Sequence, residues 1–402
     1  MKNLLKMLVG FALVAVVFQI VNPTSGTIEI ESQATIETKF STIQLTQFEY
    51  ALNEPVVITA YQNKIAVAKR KSSKIDIFSQ KGNHLKLIST IELKDILIIE
   101  KSSEIFILDL ESTRSGRIYV SYLDFYDDAR KCDHVKVIEF EKATSRPRLI
   151  FTSTPCLSML NKASEAGGYI MSGRLAVSDT HVYIAGGMSM IDLASNTYPN
   201  PNVVGMSGNF KRDLAMSNLY GSVSKIDIRS LHIVKVSTGH RSPQGLAYDP
   251  VGDVLWLSEH GPSGGDELNK IKQGGNYGWP YVSLGQPYDN AHLLMPYNTF
   301  DTQYSSHSGF IAPVLSWSPS IAPSQLVVVP KKSGFDRSWQ GNILLSTLKD
   351  MSIHRLVLSK TNDVVLDDER IQLGHRIRDI ALTESRIWAS TDGGKILLLS
   401  PG

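Results

Sequence analysis

The sequence predicts an all-β protein: a six-bladed β-propeller behind a short N-terminal signal or anchor helix. Three observations support this fold class. Short apolar stretches alternate with polar residues, one strand–turn–strand pattern recurs along the chain, and a short apolar run stands at the N-terminus. We therefore expect residues 1–26 to form a signal peptide or membrane anchor and residues 27–402 to form the propeller.

Strand-like segments account for most of the chain after residue 30. Residues 74–78, 116–120 and 135–140 alternate in polarity and are rich in β-branched and aromatic side chains. Clusters of Gly, Asn, Asp, Ser and Pro separate such segments, and convincing helical periods are few. This pattern favours a β-sandwich, barrel or propeller.

An internal repeat selects the propeller among these folds. The stretches 173–177, 244–248 and 378–382 each precede a second strand, and each contains an alanine in an equivalent place: Ala176, Ala247 and Ala381. The first two alanines are 71 residues apart, and the last two are 134 apart, which is two units of 67. A repeat of roughly 65–70 residues suits four-stranded blades with long loops and predicts about six blades.

The N-terminus predicts export. Lys2 and Lys6 precede an uncharged run whose apolar part, residues 7–21, is short for a membrane-spanning helix. Cleavage and retention as a membrane attachment through residues 7–21 both stay open. In an oxidising compartment, Cys132 and Cys156, on either side of the strand 134–141, are expected to form a disulfide.

Basic residues stand where chemistry is expected in a propeller. Residues at equivalent ends of the innermost strands meet at one mouth of the channel, and the segments entering the repeated strands carry Arg174, Arg241, Gln244, Arg376 and Arg378. Guanidinium groups that face one channel favour a multiply anionic ligand, unless each is paired with an internal carboxylate. The net charge of only +2 gives no global attraction to nucleic acid, so functional charge must be local.

Four motifs follow one another between residues 239 and 280. They read Gly-His-Arg-Ser-Pro-Gln-Gly-Leu from 239, Ser-Glu-His-Gly-Pro from 258, Gly-Asp-Glu-Leu-Asn from 265 and Asn-Tyr-Gly-Trp-Pro from 276. Their order and spacing resemble the pyrroloquinoline quinone (PQQ)-dependent glucose/sorbosone and aldose sugar dehydrogenases, most clearly from about residue 160 to 402. The resemblance implies a six-bladed propeller, and the N-terminus implies a location in the periplasm or outside the cell. It also implies oxidation of a sugar at the anomeric carbon, hydride transfer to PQQ, Ca²⁺, and an external electron acceptor.

The resemblance also assigns roles to individual positions. Arg241 and Gln244 would face the cofactor and substrate, and Lys349, Arg376 and Arg378 would bind the quinone's carboxylates and carbonyls. The following residues are the expected calcium ligands or lie where the family has a second calcium region: Gly261, Pro262, Asp266, Glu267 and Tyr277. A competing interpretation is that Asp266 and Glu267 begin a short helix running to Ile271.

The catalytic side of the family pattern is missing. The family's general base, a histidine, falls on Tyr169 or Ile170, and its helper aspartate falls on Gly187. None of these is a base near neutral pH, because a tyrosine titrates near 10. Glu165, His181 and His260 are the substitutes that proximity in the sequence suggests.

Three functions remain open from the sequence. The first is a PQQ-dependent aldose dehydrogenase, and the second is a propeller that binds PQQ, calcium or a sugar without turnover. The third, a calcium-dependent lactonase or other hydrolase, rests on fold analogy alone. That third function requires a cage of Glu, Asn and Asp side chains in the channel, and the repeated positions do not supply one.

Overall fold

The computed structural model describes residues 26–39, 41–93, 105–124, 134–142, 146–154, 172–187, 217–286, 303–383 and 385–401. The regular elements in these ranges are 28 β-strands. No helix in the described ranges is long and apolar enough to span a membrane. The predicted N-terminal helix, residues 7–21, and both cysteines lie outside these ranges, so the export segment and the disulfide stay predictions.

The strands follow one another closely, and the first two are β1 (Thr27–Glu37) and β2 (Thr42–Glu49). The next eight are β3 (Val56–Tyr61), β4 (Lys64–Lys69), β5 (Lys74–Lys81), β6 (His84–Glu92), β7 (Ile105–Ser112), β8 (Ile118–Asp124), β9 (His134–Phe140) and β10 (Arg148–Thr152). The middle of the chain forms β11 (Ser172–Val177), β12 (His181–Gly186), β13 (Ser222–Asp227), β14 (Ile233–Thr238), β15 (Pro243–Asp249), β16 (Val254–Glu259), β17 (Asp266–Ile271), β18 (Gly275–Asn276), β19 (Val282–Ser283), β20 (Gln303–Tyr304) and β21 (Leu315–Trp317). The last strands are β22 (Pro323–Val328), β23 (Ile343–Thr347), β24 (Ser352–Leu358), β25 (Val365–Gln372), β26 (Ile377–Leu382), β27 (Ile387–Thr391) and β28 (Lys395–Pro401).

Six antiparallel blades confirm the predicted propeller. Strands β3–β6, β7–β10, β11–β14 and β22–β25 form one blade each, and β15, β16, β17 and β21 form another. The sixth blade contains β26, β27 and β28 and is completed by β2, which pairs with β28 from Ile43↔Pro401 to Glu49↔Lys395. The innermost strands contact one another in the closed order β3, β7, β11, β15, β22, β26 and back to β3. Pairing between the two ends of the chain therefore closes the ring.

The predicted repeat coincides with the innermost strands. Ala176, Ala247 and Ala381 lie on β11, β15 and β26, the innermost strands of three blades. They pair in the same way with the second strand of each blade, opposite Tyr183, Trp256 and Trp388. Apolar side chains from adjacent blades pack in the spaces between them, and complete burial of one large apolar side chain contributes about 1.5–3 kcal/mol.

Five of the six innermost strands share a second feature, a β-bulge in the pairing with the second strand of the blade. The register shifts occur at Ile107/Asp109, Ser172/Arg174, Pro243/Gly245, Pro323/Leu326 and Ile377/Asp379. A bulge leaves backbone groups outside the ladder, and the buried side chains of Asp109, Gln325 and Asp379 satisfy several of them. Each accepts one bond from the amide that follows it and one from a neighbouring innermost strand. The amide pairs are Leu110 and Leu175 for Asp109, Leu326 and Leu246 for Gln325, and Ile380 and Ile58 for Asp379.

Candidate functional site

A small, partly open pocket lies beside the start of β15. The predicted segment 239–280 supplies most of its wall, and residues 282–283 and 307 complete it. Its side chains and carbonyls come mainly from Arg241, His260, Gly261, Glu267, Trp279 and His307. The four motifs that are separated in the sequence therefore meet at one place.

Arg241 is held at the centre of this wall. Its Nη1 donates to the carbonyl oxygens of His260 at 3.0 Å and of Gly261 at 2.7 Å. Its guanidinium carbon lies 5.4 Å from the centre of the Trp279 ring, within the range of a cation–π contact. Two carbonyl oxygens thus converge on one positively charged nitrogen, an arrangement that also suits a Ca²⁺ ion.

The two carbonyls belong to the loop of residues 260–265, called the carbonyl loop below. This loop permits only glycine at position 261. A Cβ on Gly261 would lie 2.2 Å from the Gly264 carbonyl oxygen and 2.5 Å from that of Gly265. Gly261 was predicted as a calcium ligand, and its carbonyl does face a cation. The His260 carbonyl was missed, because every residue has one and no sequence signal marks which will converge. The calcium roles of Gly261 and Pro262 stay predictions. The Pro262 ring packs closely on Gly285, since a Cβ built on Gly285 would lie 2.7 Å from it.

His260 also lines this pocket, and its ring makes a defined hydrogen bond. Its Nε2 lies 2.7 Å from the Pro323 carbonyl oxygen, which can only accept, so Nε2 carries the proton in this contact. Burial lowers the pKa of His260, and the charges of Arg241 and Arg378 lower it further against the opposing effect of Asp266. The ring is therefore neutral near pH 7, with its lone pair on Nδ1.

Arg376 and Arg378 share one carboxylate. Arg378 donates from Nε to Asp392 Oδ1 at 2.7 Å and from Nη2 to Oδ2 at 3.0 Å, while Arg376 Nε reaches Oδ2 at 3.1 Å. The Arg376 side chain is 50% exposed, and Arg378 is buried. The pair lowers the pKa of Asp392 although burial alone would raise it. Asp392 was not predicted, because its Thr-Asp-Gly-Gly context looks like an ordinary hairpin turn.

Lys349 follows β23 and lies close to Arg376. Arg376 Nη1 approaches the Leu348 carbonyl oxygen at 3.5 Å, which brings the turn after β23 beside the entry to β26. Lys349 is exposed, and no carboxylate in the described part of the chain pairs with it. Gln244 is buried at the start of β15, where its Nε2 donates to Ser242 Oγ at 3.2 Å. The structure thus brings the predicted basic residues to one mouth of the channel, two of them already paired with Asp392.

The interpretation that Asp266 and Glu267 begin a short helix is wrong. Asp266–Ile271 is strand β17, because it pairs with β16 and β21 on either side, and this pairing outweighs the local capping tendency. Tyr277 stacks on His240 at 4.8 Å, and its hydroxyl donates to the Lys270 carbonyl oxygen at 2.6 Å. The side chains of Asp266 and Tyr277 are thus hydrogen-bonded to protein groups, and their metal roles stay predictions.

Glu267 belongs to a buried polar network behind the pocket. Asn269 Nδ2 donates to Glu267 Oε2 and to Glu259 Oε1, each at 3.0 Å, and His307 Nε2 lies 3.4 Å from Glu267 Oε1. Burial raises the pKa of Glu267, and the bond to His307 opposes that rise. His307 Nδ1, Asn269 Oδ1 and Trp279 Nε1 are buried without a partner among the described residues. The pocket wall therefore retains unused hydrogen-bonding groups, which a polar ligand or water would satisfy.

A buried ionic cluster forms the floor beneath the mouth. Arg174 Nη1 donates to Asp109 Oδ1 at 3.0 Å and lies 3.8 Å from Asp379 Oδ2, and its Nη2 donates to the Arg378 carbonyl oxygen at 3.1 Å. Burial raises the pKa of Asp379 to about 7 and that of Glu111 well above its usual value, and the charge of Arg174 only partly opposes these rises. The bond from Arg174 to the Arg378 carbonyl holds the backbone that presents Arg378.

The remaining predicted positions divide into described and undescribed ones. Tyr169, Ile170 and Glu165 lie outside the described residues. Gly187 is buried directly after β12, so the family's helper position has no titratable side chain. His181 begins β12 at the opposite end of the strand and contacts Thr180 and Asp227, which removes it from the pocket.

Comparison with known proteins extends the resemblance over most of the chain. The sequence matches the glucose/sorbosone dehydrogenase family over residues 52–399. It is 39% identical over 168 residues to an uncharacterized protein of Synechocystis sp., covering 40% of this chain and 38% of that one. It is 35% identical over 170 residues to an aldose sugar dehydrogenase of Escherichia coli, covering 41% of this chain and 43% of that one. The chain thus aligns with less than half the length of these curated relatives.

Solved structures confirm the fold. The soluble aldose sugar dehydrogenase from Escherichia coli in its apo form matches with a TM-score of 0.62 and 23% identity, over 89% of this chain and 100% of that one. The PQQ-bound form of aldose sugar dehydrogenase from Streptomyces coelicolor matches with a TM-score of 0.54 and 18% identity, over 92% and 98%. The family match begins at residue 52, well before the region of clearest sequence resemblance. The chain belongs to the glucose/sorbosone dehydrogenase family.

Proposed function

We propose that this protein is a PQQ-dependent aldose sugar dehydrogenase that oxidises a sugar at its anomeric carbon. The observation that carries the proposal is that Lys349, exposed and without a carboxylate partner among the described residues, lies beside the half-exposed Arg376, which shares Asp392 with Arg378. A rigid, multiply carboxylated quinone needs several fixed cations on one side, and arginine forks bind carboxylates with two oxygens. Similarity to an aldose sugar dehydrogenase of Escherichia coli and to a quinoprotein glucose dehydrogenase of Acinetobacter calcoaceticus supports the same proposal.

The residues present fit both a quinone and a calcium ion. Asp392 demonstrates that a carboxylate fits the two guanidinium groups, and the half-exposed face of Arg376 is open to another. The carbonyl oxygens of His260 and Gly261 already accept bonds from a cationic nitrogen, and Ca²⁺ takes such oxygens at about 2.3–2.6 Å. If Ca²⁺ and PQQ bind here, these two carbonyl oxygens would help to hold the ion, and Arg241 would supply positive charge for a carboxylate of the cofactor. When bound, PQQ supplies the acceptor for the hydride of the anomeric carbon.

The chain itself has to accept the proton of the anomeric hydroxyl. Of the three substitutes that the sequence suggested, His260 is the one that the structure places at the described pocket. Its bond to the Pro323 carbonyl fixes the tautomer with a free lone pair on Nδ1, which is the state a general base requires. We therefore assign proton acceptance to His260, with the sugar held between this ring and the cofactor.

A second function, binding of the cofactor without turnover, is favoured by one observation. Gly187 stands buried at the helper position and offers no side chain to orient a base. The hydrolase alternative has less support, because no group of three His, Cys, Asp or Glu side chains in the described ranges is arranged to hold a metal.

Reconstitution separates these functions. Purified protein is mixed with PQQ and Ca²⁺, and reduction of a dye, the electron acceptor, is followed with several aldoses. We expect turnover that falls by about 10²–10⁴-fold in His260→Gln, the usual contribution of a general base. Quinone binding without dye reduction would establish the non-catalytic function instead. Absence of quinone binding in the wild type would refute both.

We also propose that the protein is exported and works in the periplasm or outside the cell. The two lysines before residues 7–21 and the two cysteines that are predicted to form a disulfide support this location. Mass spectrometry of the protein recovered from the source cells checks it. A chain that retains residues 1–26 in a soluble cytoplasmic fraction, with Cys132 and Cys156 both free, would contradict the proposal.

A further inference from the structure

Asp266 joins two separate segments at the mouth of the channel. Its Oδ2 accepts bonds from Ser320 Oγ at 2.6 Å and from the amides of Ile321 and Ala322, each at 2.8 Å. Its Oδ1 accepts the amide of Gly261 at 3.2 Å. The carboxylate is fully buried, and four donors surround it. Its side chain therefore serves to hold backbone in place.

The segment on the far side of this carboxylate carries the Lys349 turn. The Ile321 carbonyl oxygen accepts the amides of Lys349 and Asp350, each at 3.2 Å, and the Ala322 carbonyl oxygen accepts the Leu348 amide at 2.8 Å. One continuous set of hydrogen bonds thus runs from Gly261 through Asp266 and residues 321–322 to Lys349. The carbonyl loop of one blade and the lysine turn of the next are connected by a single carboxylate.

Ala322 adopts a backbone conformation that requires such support. Its φ is 51°, in the left-handed region that is unfavourable for any residue with a Cβ. Strained backbone persists when its surroundings determine it fully, and such strain gathers at functional sites. Here the Ala322 amide is bound by Asp266 and its carbonyl by Leu348, so both sides of the strained residue are fixed.

We propose that Asp266 is a positioning residue that sets the distance between the Gly261 carbonyl loop and the Lys349 turn. This role replaces the metal-ligand role that the family resemblance implies for Asp266, and it rests on the proposed function of this mouth as the quinone site. In Asp266→Asn the side chain keeps its volume, but its NH₂ group faces hydrogen-bond donors on one side and cannot accept from them. The substitution therefore breaks part of the connection. The effect on the quinone would be transmitted through Lys349.

A double-mutant cycle on quinone binding tests the connection to Lys349. PQQ affinity is measured in the presence of Ca²⁺ for wild type, Asp266→Asn, Lys349→Met and the double variant. We expect Asp266→Asn to weaken binding by about 10–100-fold, as for other residues that orient a ligand-binding group. In the Lys349→Met background, Asp266→Asn should weaken PQQ binding by a much smaller factor. An equal loss in both backgrounds, as a metal ligand would give, or no loss in either, would overturn the proposal.

Two further variants keep the test informative if Asp266→Asn folds poorly. Ser320→Ala removes one of the four donors and should weaken PQQ binding in the same direction by a smaller factor. Ala322→Gly relieves the unfavourable φ and should recover part of the affinity that Asp266→Asn loses. Asp249→Asn, at the other end of β15, is the matched control and should bind as the wild type does. Wild-type affinity in Ser320→Ala together with no recovery by Ala322→Gly would count against the role.

Hydrogen exchange on the protein without cofactor separates this proposal from the proposed function. The amides of Ile321 and Ala322 should exchange at least about tenfold faster in Asp266→Asn than in wild type, since each loses its acceptor. Unchanged exchange would refute the positioning role whatever the ligand is. Failure of the wild type to bind PQQ, with faster exchange in the variant, would refute the quinone function and leave the structural connection intact.

Discussion

Replacing Arg174 by methionine removes the guanidinium that pairs with Asp109 on the channel floor while retaining an unbranched apolar side chain. In the wild type the guanidinium contacts Asp109 and the Arg378 carbonyl directly and lies 3.8 Å from Asp379. The Arg174 side chain is 4% exposed, and the two carboxyl groups are buried completely or nearly so. The variant would therefore leave buried carboxyl groups without their cation.

The size of the effect follows from that burial. Removing one partner of a buried ion pair typically costs about 3–5 kcal/mol of unfolding free energy. A carboxyl group whose pKa is raised on folding binds more protons in the native state, so it lowers stability as pH rises from about 4 through the folded pKa. The pKa of Asp379 is raised to about 7 by burial even with Arg174 present. Without the arginine it rises further, so the variant should lose more stability at pH 8 than at pH 5.

Urea unfolding at pH 5 and pH 8 measures both quantities. Arg117→Met is the control, because Arg117 is 38% exposed and its partner Glu139 keeps two bonds to Arg148. The control should cost no more than about 1 kcal/mol at either pH. A loss below about 1 kcal/mol for Arg174→Met at both pH values, or a loss that is larger at pH 5, would refute the reasoning.

Three further changes test other parts of the account. Arg241→Met should weaken PQQ binding but strengthen Ca²⁺ binding, because it frees the carbonyl of Gly261 from a competing cation. Isothermal titration of each ligand measures both affinities, and a weaker Ca²⁺ affinity in the variant would contradict this expectation. Burial lowers the pKa of His354, but bonds to two aspartates outweigh it and leave the pKa raised, so the stabilisation is complete below about pH 6.5 and lost as pH rises through the folded value. His354→Gln should accordingly lose more unfolding free energy at pH 6 than at pH 9, and equal losses would count against this. Gly394→Ala should cost about 2–3 kcal/mol, because a Cβ there would lie 1.3 Å from a carbonyl oxygen at φ 89°, whereas Gly393→Ala meets nothing closer than 3.8 Å and should change thermal unfolding little.

Sequence periodicity was sufficient to predict the architecture. The alanines at 176, 247 and 381 marked innermost strands correctly, because each blade must repeat the same alternation to pack against its neighbours. The strand predicted at 116–120 begins two residues later, at Ile118, and the one at 135–140 is strand β9 with one residue more. Local pattern therefore determined both the fold class and the approximate positions of the strands.

Sequence periodicity could not predict the contacts between blades. The Ile58 amide binds Asp379 across 321 positions of the chain, and Asp266 binds residues more than 50 positions away. The basic residues were predicted, but their shared partner Asp392 was not, because a carboxylate in a turn carries no mark of what it will contact. The metal role of Asp266 was implied by the family resemblance and stays a prediction, whereas the helix start was suggested by its local sequence and is wrong. Only the packing of two blades reveals the four donors around its carboxylate.

Equilibrium titration tests most directly whether the mouth around Arg376 binds PQQ together with calcium. PQQ is titrated into the protein with Ca²⁺ and with a chelator, for wild type and for Arg376→Met. We expect one PQQ per chain, binding that depends on Ca²⁺, and an affinity at least about tenfold lower in the variant, as expected for loss of a charge-assisted hydrogen bond worth about 1.5–3 kcal/mol. Binding of equal strength in the variant, or no saturable binding in the wild type, would contradict the account.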